Sequence, residues 1–288
     1  MTTTKPKPKP RKRERPKGLK FSPTSHRYWL DGKSVPGVTT ILGVLDKPAI
    51  PKWAAKSVAE YVADNPAGVD ELRSIGRDGL VKALADVPWG DRDRAANRGN
   101  EVHDLAERYL AGEIIDVPEE LVGHVEAAAD FIDAWGIDPV LSEAPVGSRE
   151  HRYAGTLDLV ADITAGPFAG TRAIVDWKTG RSGIYKEAAF QTTAYSFAEF
   201  TGLGGDERLM SDFHIEAAFG IHLRADGWDV YPLRFGEDVF QEFLVIREVY
   251  DINRRSAGDW KKPGSGYVGV ALESASALFL KLGKEARW

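Results

Sequence analysis

The chain has 288 residues, 43% of them hydrophobic and 28% charged, with a formal net charge of −5; this is the composition of a soluble globular protein with length enough for one large core or two small ones. It contains no cysteine, which excludes disulfides, thiolate zinc sites and iron–sulfur clusters, and no apolar run approaches the roughly 18 residues of a membrane span. Charge is unevenly placed: residues 1–20 hold nine Lys/Arg and one Glu, leaving 38 − 9 = 29 basic against 43 − 1 = 42 acidic residues elsewhere, or −13. An acidic body is a poor general magnet for nucleic acid, so binding there has to be focused in a local basic groove.

In chain order, the Lys/Pro alternation KPKPKPRKRERPKG makes residues 1–20 a disordered basic tail, able to add salt-sensitive phosphate contacts or simply to solubilise. The basic start has no apolar stretch behind it and does not read as a secretory signal. Folding is expected from about Phe21, where HRYWLDGKSVPGVTTIL reads as a hairpin about Asp31-Gly32. Two or three helices follow between Pro51 and Val87, with a break at Pro66 and Gly68. From Arg94 to Leu110, Val102, Leu105, Ala106, Tyr109 and Leu110 mark a helix with one buried face. A further helix spans about 118–135 and ends at Gly136. Strands are expected at 140–146, 153–163 and 172–179, a helix at 186–200, two strands at 214–223 and 228–235 about Asp226-Gly227, and a helix at 238–253. Helix, three strands, helix and strand make an α/β pattern. The organisation is then a tail (1–20), a folded domain (21–255) whose part 21–90 is hairpin and helical, and a C-terminal extension (256–288) of no assigned role.

Asp-x-Lys occurs three times, at Asp31-Gly32-Lys33, Asp176-Trp177-Lys178 and Asp259-Trp260-Lys261. The first lies in a turn and the last reads as a loop between Gly258 and Pro263; only the middle copy closes a strand. Alternation puts Asp176 and Lys178 on one face, with Trp177 on the other. On the preceding strand Thr156, Asp158 and Val160 share a face, so pairing of the two strands brings Asp158 beside Asp176. Two carboxylates that close repel unless a cation or a proton lies between them, and oxygen ligands suit Mg²⁺ or Mn²⁺. Taken singly, either aspartate reads equally well as a turn cap.

These residues, with two further motifs, resemble the PD-(D/E)xK nuclease superfamily in its RecB-like exonuclease branch, of the phage type without iron–sulfur cysteines. The motifs are a helical His (His103 in RGNEVHDLAERY), Gly155-Thr156-Leu157-Asp158, Asp176-Trp177-Lys178 and Gln191-Thr192-Thr193-Ala194-Tyr195, in that order. Leu157 stands where the superfamily's name has proline. The resemblance runs from about His26 to Asn253. It implies an α/β restriction-endonuclease-like core, a central mixed sheet flanked by helices, with an N-terminal hairpin and helical region. It further implies a metal held by Asp158, Asp176, the Trp177 carbonyl and His103, with Lys178 orienting or deprotonating the attacking water and steadying the phosphate.

Gln191 and Tyr195, four apart on one helical face, are the expected DNA contacts, Gln191 by hydrogen bonding and Tyr195 by stacking or touching phosphate; an ordinary amphipathic helix is the alternative. Glu143 is a candidate supporting carboxylate or a surface residue, and Lys186 and Arg181 are candidate phosphate contacts. The other histidines, 26, 124, 151, 214 and 222, have no partner at ligand spacing and are read as structural. The implied function is DNA exonuclease action in phage or bacterial recombination or replication, in the cytoplasm. Candidate partners are a recombinase, an annealing protein or a helicase, since the chain has no phosphate-cradling Gly-x-x-x-x-Gly-Lys-Ser/Thr loop of its own. The alternatives are a flap or branch endonuclease, and a nucleic-acid-binding module that has lost catalysis.

Overall fold

The computed structural model of the chain describes residues 17–180 and 183–259, the side chains at 91 and 256–259 apart. It opens with a three-stranded antiparallel sheet, β1 (Leu19–Ser22), β2 (Arg27–Leu30) and β3 (Lys33–Val35). Asp31 (φ +49°) and Gly32 (φ +70°) form the tight turn between β2 and β3, the geometry that makes Asp-Gly a hairpin signal. Leu19 is already paired with Leu30, so order starts two residues earlier than expected and cuts into the 1–20 tail. The second arm of the expected hairpin is shorter than anticipated. It stops at Val35, and Val38–Leu42 is a short helix, α1. Pro36-Gly37 breaks the strand, and Val38, Ile41 and Leu42 bury one face at helical spacing.

Three helices follow, α2 (Ala49–Asp64), α3 (Pro66–Ser74) and α4 (Arg77–Leu110). The helix read as starting at Arg94 is the second half of α4, whose 34 residues continue through Pro88 and span about 51 Å at 1.5 Å per residue. The helix α4 packs on α2 and α3 as well as on α5, and the residues it gives to the core beside the sheet, Val102, Leu105 and Ala106, all lie in its second half. The first half therefore lacks the one-sided apolar stripe that revealed the second. Next, α5 (Val122–Trp135) ends on Gly136 in the left-handed region (φ +55°), where a Cβ would meet Thr164 Oγ1 at 2.2 Å.

The central sheet has seven strands. They are β4 (Ile137–Ser148), β5 (Tyr153–Ile163), β6 (Thr171–Lys178), β7 (Phe200–Thr201), β8 (Arg208–Leu209), β9 (Ala217–Arg224) and β10 (Gly227–Pro232), in spatial order β10-β9-β6-β5-β4-β7-β8. All pairs are antiparallel except β6 with β9. The helix α6 (Glu187–Ser196) makes that parallel connection, and α7 (Glu237–Asp259) closes the described chain. The protein is thus a mixed α/β fold with helices on both faces of a mixed sheet.

Strand alternation separates two cores. One packs α4 and α5 on Leu159, Val175, Trp177 and Ile221; the other packs α1, α6 and α7 on Val160, Ile174 and Ala218. In the first, Phe131 sits at the centre of an aromatic cluster, its ring 5.5 Å from Trp135, 5.6 Å from Trp177 and 5.5 Å from Trp228. Phe131→Ala should therefore cost about 3–5 kcal/mol, read as a lower urea midpoint at unchanged slope. A loss below 1 kcal/mol would mean the cluster is not an anchor.

Candidate functional site

The site grows from the pairing of β5 with β6. Leu159 lies opposite Val175, where the pairing ends, with Asp158 and Asp176 the next residues on either strand. The Trp177 N–H donates to Asp158 Oδ2 (3.0 Å). Asp176 is 2% exposed and neither of its oxygens has a well-aligned hydrogen bond; its contact is ionic, Lys178 Nζ standing 2.5 Å from Oδ2. Burial lifts the Asp176 pKa to about 6, against the pull of Lys178 and with the push of Asp158. Burial works against the Lys178 ammonium too, yet the charges of Asp176 and Asp158 outweigh it and raise the lysine above its usual value.

From the other face, α4 brings in His103. Gly99, one turn earlier, admits this approach, since a Cβ there would stand 3.0 Å from Thr179 Oγ1. His103 Nε2 lies 3.1 Å from the Trp177 carbonyl oxygen, and Nδ1 lies 3.8 Å from Asp158 Oδ2. Burial depresses the His103 pKa in spite of Asp158, with Lys178 adding to the depression. The imidazole is thereby biased to the neutral form, the one that ligates metal.

Glu143 is more involved than its sequence position suggests. It sits on β4 between Ser142, opposite Leu159, and Ala144, opposite Leu157, which sets it beside Asp158. Its backbone is in the left-handed region (φ +43°), a strained state for a glutamate, just after a register shift between Pro139 and Leu141. His103, Glu143 and Asp158 each place one ligand atom within 4.8 Å of the others. Asp176 lies outside this trio, linked to it through Asp158 and Trp177. Though the Glu143 residue is exposed, desolvation of its carboxyl pushes its pKa to about 8, with Asp158, Glu107 and Asp104 adding to the effect.

Gln191 and Tyr195 reach the site in a different manner from that expected. The Tyr195 ring is 4% exposed and lies under Gly155, where a Cβ would meet Tyr195 Cε1 at 2.3 Å. A ring so covered offers no face for a base. Its phenol instead sits in the field of Asp158 and Asp176 beside Gln191; burial, then Asp158, raise its pKa well above the ordinary tyrosine value. Gly155 is thus glycine because Tyr195 passes beneath it, which ties the Gly-x-x-Asp strand to the Gln-x-x-x-Tyr helix. The neighbouring wall is Tyr28, unanticipated from sequence, whose hydroxyl is 2.9 Å from Thr156 Oγ1 and whose pKa is raised by burial and by Glu143. Only its place among the hairpin's aromatics could have flagged it. Lys186 is exposed at the start of α6. Arg181 and residues 260–261 of the third Asp-x-Lys copy lie outside the described residues. The first copy is the β2–β3 turn, tied down by Arg149 Nε donating to Asp31 Oδ2 (3.0 Å).

These residues fit a hard divalent cation. Asp176 Oδ1 is buried with no partner, and His103, Glu143 and Asp158 offer one nitrogen and two carboxylate oxygens within 4.8 Å of one another. No cysteine is present, so no iron–sulfur cluster is held here. Binding a cation must displace the protons that Asp176 holds up to about pH 6 and Glu143 up to about pH 8. Mn²⁺ affinity measured by calorimetry should therefore rise from pH 6 to 8, and Glu143→Gln should flatten the upper part of that rise. Without divalent ions the sign reverses. Glu143 is protonated in the folded state between its unfolded value of 4.5 and about 8, so its contribution to stability is lost as pH rises through that window. An Mn²⁺ affinity independent of pH would refute both charge assignments.

No family model matches the chain, and no curated protein matches it either.

Proposed function

We propose that this protein is a divalent-metal-dependent deoxyribonuclease of the PD-(D/E)xK superfamily, built on a restriction-endonuclease-like core and acting as an exonuclease in recombination or replication of a phage or bacterial genome. The observation that supports this most directly is the meeting of Asp158, Asp176 and Lys178 at the end of two paired strands, with His103 against the Trp177 carbonyl. Four motifs spread over some 90 residues of chain converge on one spot. A packing role alone would not bury a carboxylate with an unpartnered oxygen.

Asp158, Asp176, His103 and the Trp177 carbonyl would hold Mg²⁺ or Mn²⁺, with Glu143 flanking them. When bound, such an ion supplies Lewis acidity to the phosphate and a water acidic enough to attack near neutral pH. Lys178, kept as an ammonium by the two aspartates, orients the attacking water and offsets the charge that develops on the phosphoryl oxygens. That protonation favours the orienting role of Lys178 over a role as base. Tyr195 forms a dry floor beneath the Asp158 and Asp176 carboxylates rather than a stacking surface, and Gln191, half-buried beside it, is left to hydrogen-bond the DNA.

Asp176→Ala and Lys178→Ala should each reduce cleavage of linear DNA by at least about 1,000-fold, the scale of losing a group that stabilises transition-state charge, with unchanged circular dichroism. Chelation should do the same reversibly, and Asp259→Ala should cleave as wild type. Loss of activity in Asp259→Ala but not in Asp176→Ala would place the site on the other copy. Degradation of closed-circular DNA would turn the reading to an endonuclease. Inactivity of the wild-type protein on every DNA with both ions would turn it to a binding module.

A further inference from the structure

The helix that delivers His103 carries something further along the same face. Positions 89, 92, 96, 99 and 103 of α4 follow alternating steps of three and four, so Trp89, Arg92, Ala96, Gly99 and His103 share one stripe. The stripe leads outward from the candidate metal site over two small residues to an arginine and a tryptophan. The Arg92 guanidinium stacks over the Trp89 ring, 4.8 Å from its centroid. From α2, Trp53 meets Trp89 edge-on at 6.4 Å and 72°. Both indoles remain exposed, at 38% and 39%, where large aromatic rings are ordinarily covered.

Basic side chains lie close to this pair, among acidic ones. Lys47, Lys52 and Lys56 flank Trp53, between Asp46 and Glu60; Lys56 is paired with Glu60 at 3.2 Å, with both side chains exposed. Lys47 Nζ lies 3.7 Å from Glu187 Oε1 at the start of α6, so α2 begins beside the segment that follows Lys178 and runs from there along α4. Arg92 is also paired with Asp93, but both side chains are more than half exposed, and such a pair is worth little against a phosphate. Exposed rings interleaved with cations, on a track that begins at a phosphodiesterase-like centre, suit a single strand of nucleic acid, whose bases stack on the rings while its phosphates meet the cations.

We infer that Trp53, Trp89 and Arg92, with Lys52 and Lys56, form a stacking platform for single-stranded nucleic acid, set along α4 from the site at His103. The inference rests on the nuclease reading for its direction and on the Trp–Trp–Arg cluster for its chemistry. The 14 helical steps from Trp89 to His103 correspond to about 21 Å, or about six nucleotides at the 3.4 Å spacing of a stacked strand.

The test is binding of a fluorescein-labelled 15-nucleotide oligothymidine to the full chain in chelator, followed by anisotropy so that no cleavage is needed. Trp53→Ala with Trp89→Ala should weaken binding at least about 10-fold, the scale of lost base stacking, and Trp53→Phe with Trp89→Phe should restore most of it. Arg92→Gln should lower the slope of log affinity against log salt by about 0.7, one phosphate's worth on a single strand. Sedimentation of the same proteins reads the rival occupant. If the alanine pair binds the oligonucleotide as tightly as wild type, or if the pair instead halves the sedimenting mass of the protein, the platform is overturned and the surface is left as packing or as an interface between copies. Wild type that does not bind the oligonucleotide overturns it as well. A platform that binds in a protein with no cleavage under any ion would uphold this inference and refute the nuclease reading, while cleavage with an indifferent Trp pair would do the reverse.

Discussion

The arrangement depends on a repulsion that the fold creates for itself. Antiparallel pairing of β5 and β6 ends at Leu159 and Val175, which brings the charge of Asp158 to bear on the buried Asp176. Burial first, and the charge of Asp158 after it, raise the cost of ionising Asp176. Lys178 offsets part of this from its place two residues along the same strand, yet Asp176 Oδ1 stays without a partner. A fold selected for stability alone would replace this group with apolar residues. Keeping it makes sense if a cation joins the group when the protein works, and the neutral bias of His103 and the protons retained by Asp176 and Glu143 are the complementary signs of a site one positive charge short.

The rest of the structure can be seen as the means of holding that unfavourable group in place. Gly155 gives up its side chain so that Tyr195 can lie beneath β5. Gly99 does the same so that α4 can approach Thr179. The N-terminal hairpin, remote in sequence, lays Tyr28 against Thr156, and the strand β4 accepts a left-handed glutamate to bring Glu143 inward. Each is a small local cost of a kind tolerated where surrounding packing fixes the outcome. The glycines in these motifs thus have a steric reason that sequence pattern alone does not supply.

Much of this was legible in the sequence because it follows from periodicity. Alternation along 172–179 was enough to place Asp176 and Lys178 together, and the i, i+3, i+4 pattern after Arg94 located His103 on a packed helix; along β5 simple alternation fails, since Leu157 and Val160 join one core and Leu159 the other. What was not legible came from contacts between elements. The burial of Tyr195 depends on Gly155, forty residues away, so a ring read as a DNA contact lies covered instead. The strain at Glu143 depends on a register shift in its strand, and Val38–Leu42 turned helical because two breakers, Pro36 and Gly37, ended a strand whose β-branched composition argued for continuing it. The first half of α4 was obscure for a related reason. A helix packed on other small helices carries no single apolar stripe.

Trp177 joins these levels. Its indole belongs to one core, edge-on to Phe131 at 5.6 Å, while its N–H holds Asp158 and its carbonyl faces His103. Alternation makes this division possible: the residue between Asp176 and Lys178 must point away from them, into the packing of α4 and α5. A large ring there fixes the strand end more firmly than a small side chain would, because a buried aromatic makes many contacts that resist rotation of the backbone. The orientation of the peptide groups that hold the site is therefore set from the opposite side of the sheet. If a cation is held there, changes in the aromatic cluster around Phe131 would alter its affinity before the fold itself gives way, since sub-ångström shifts of a carbonyl matter more to a coordination shell than to a hydrophobic core.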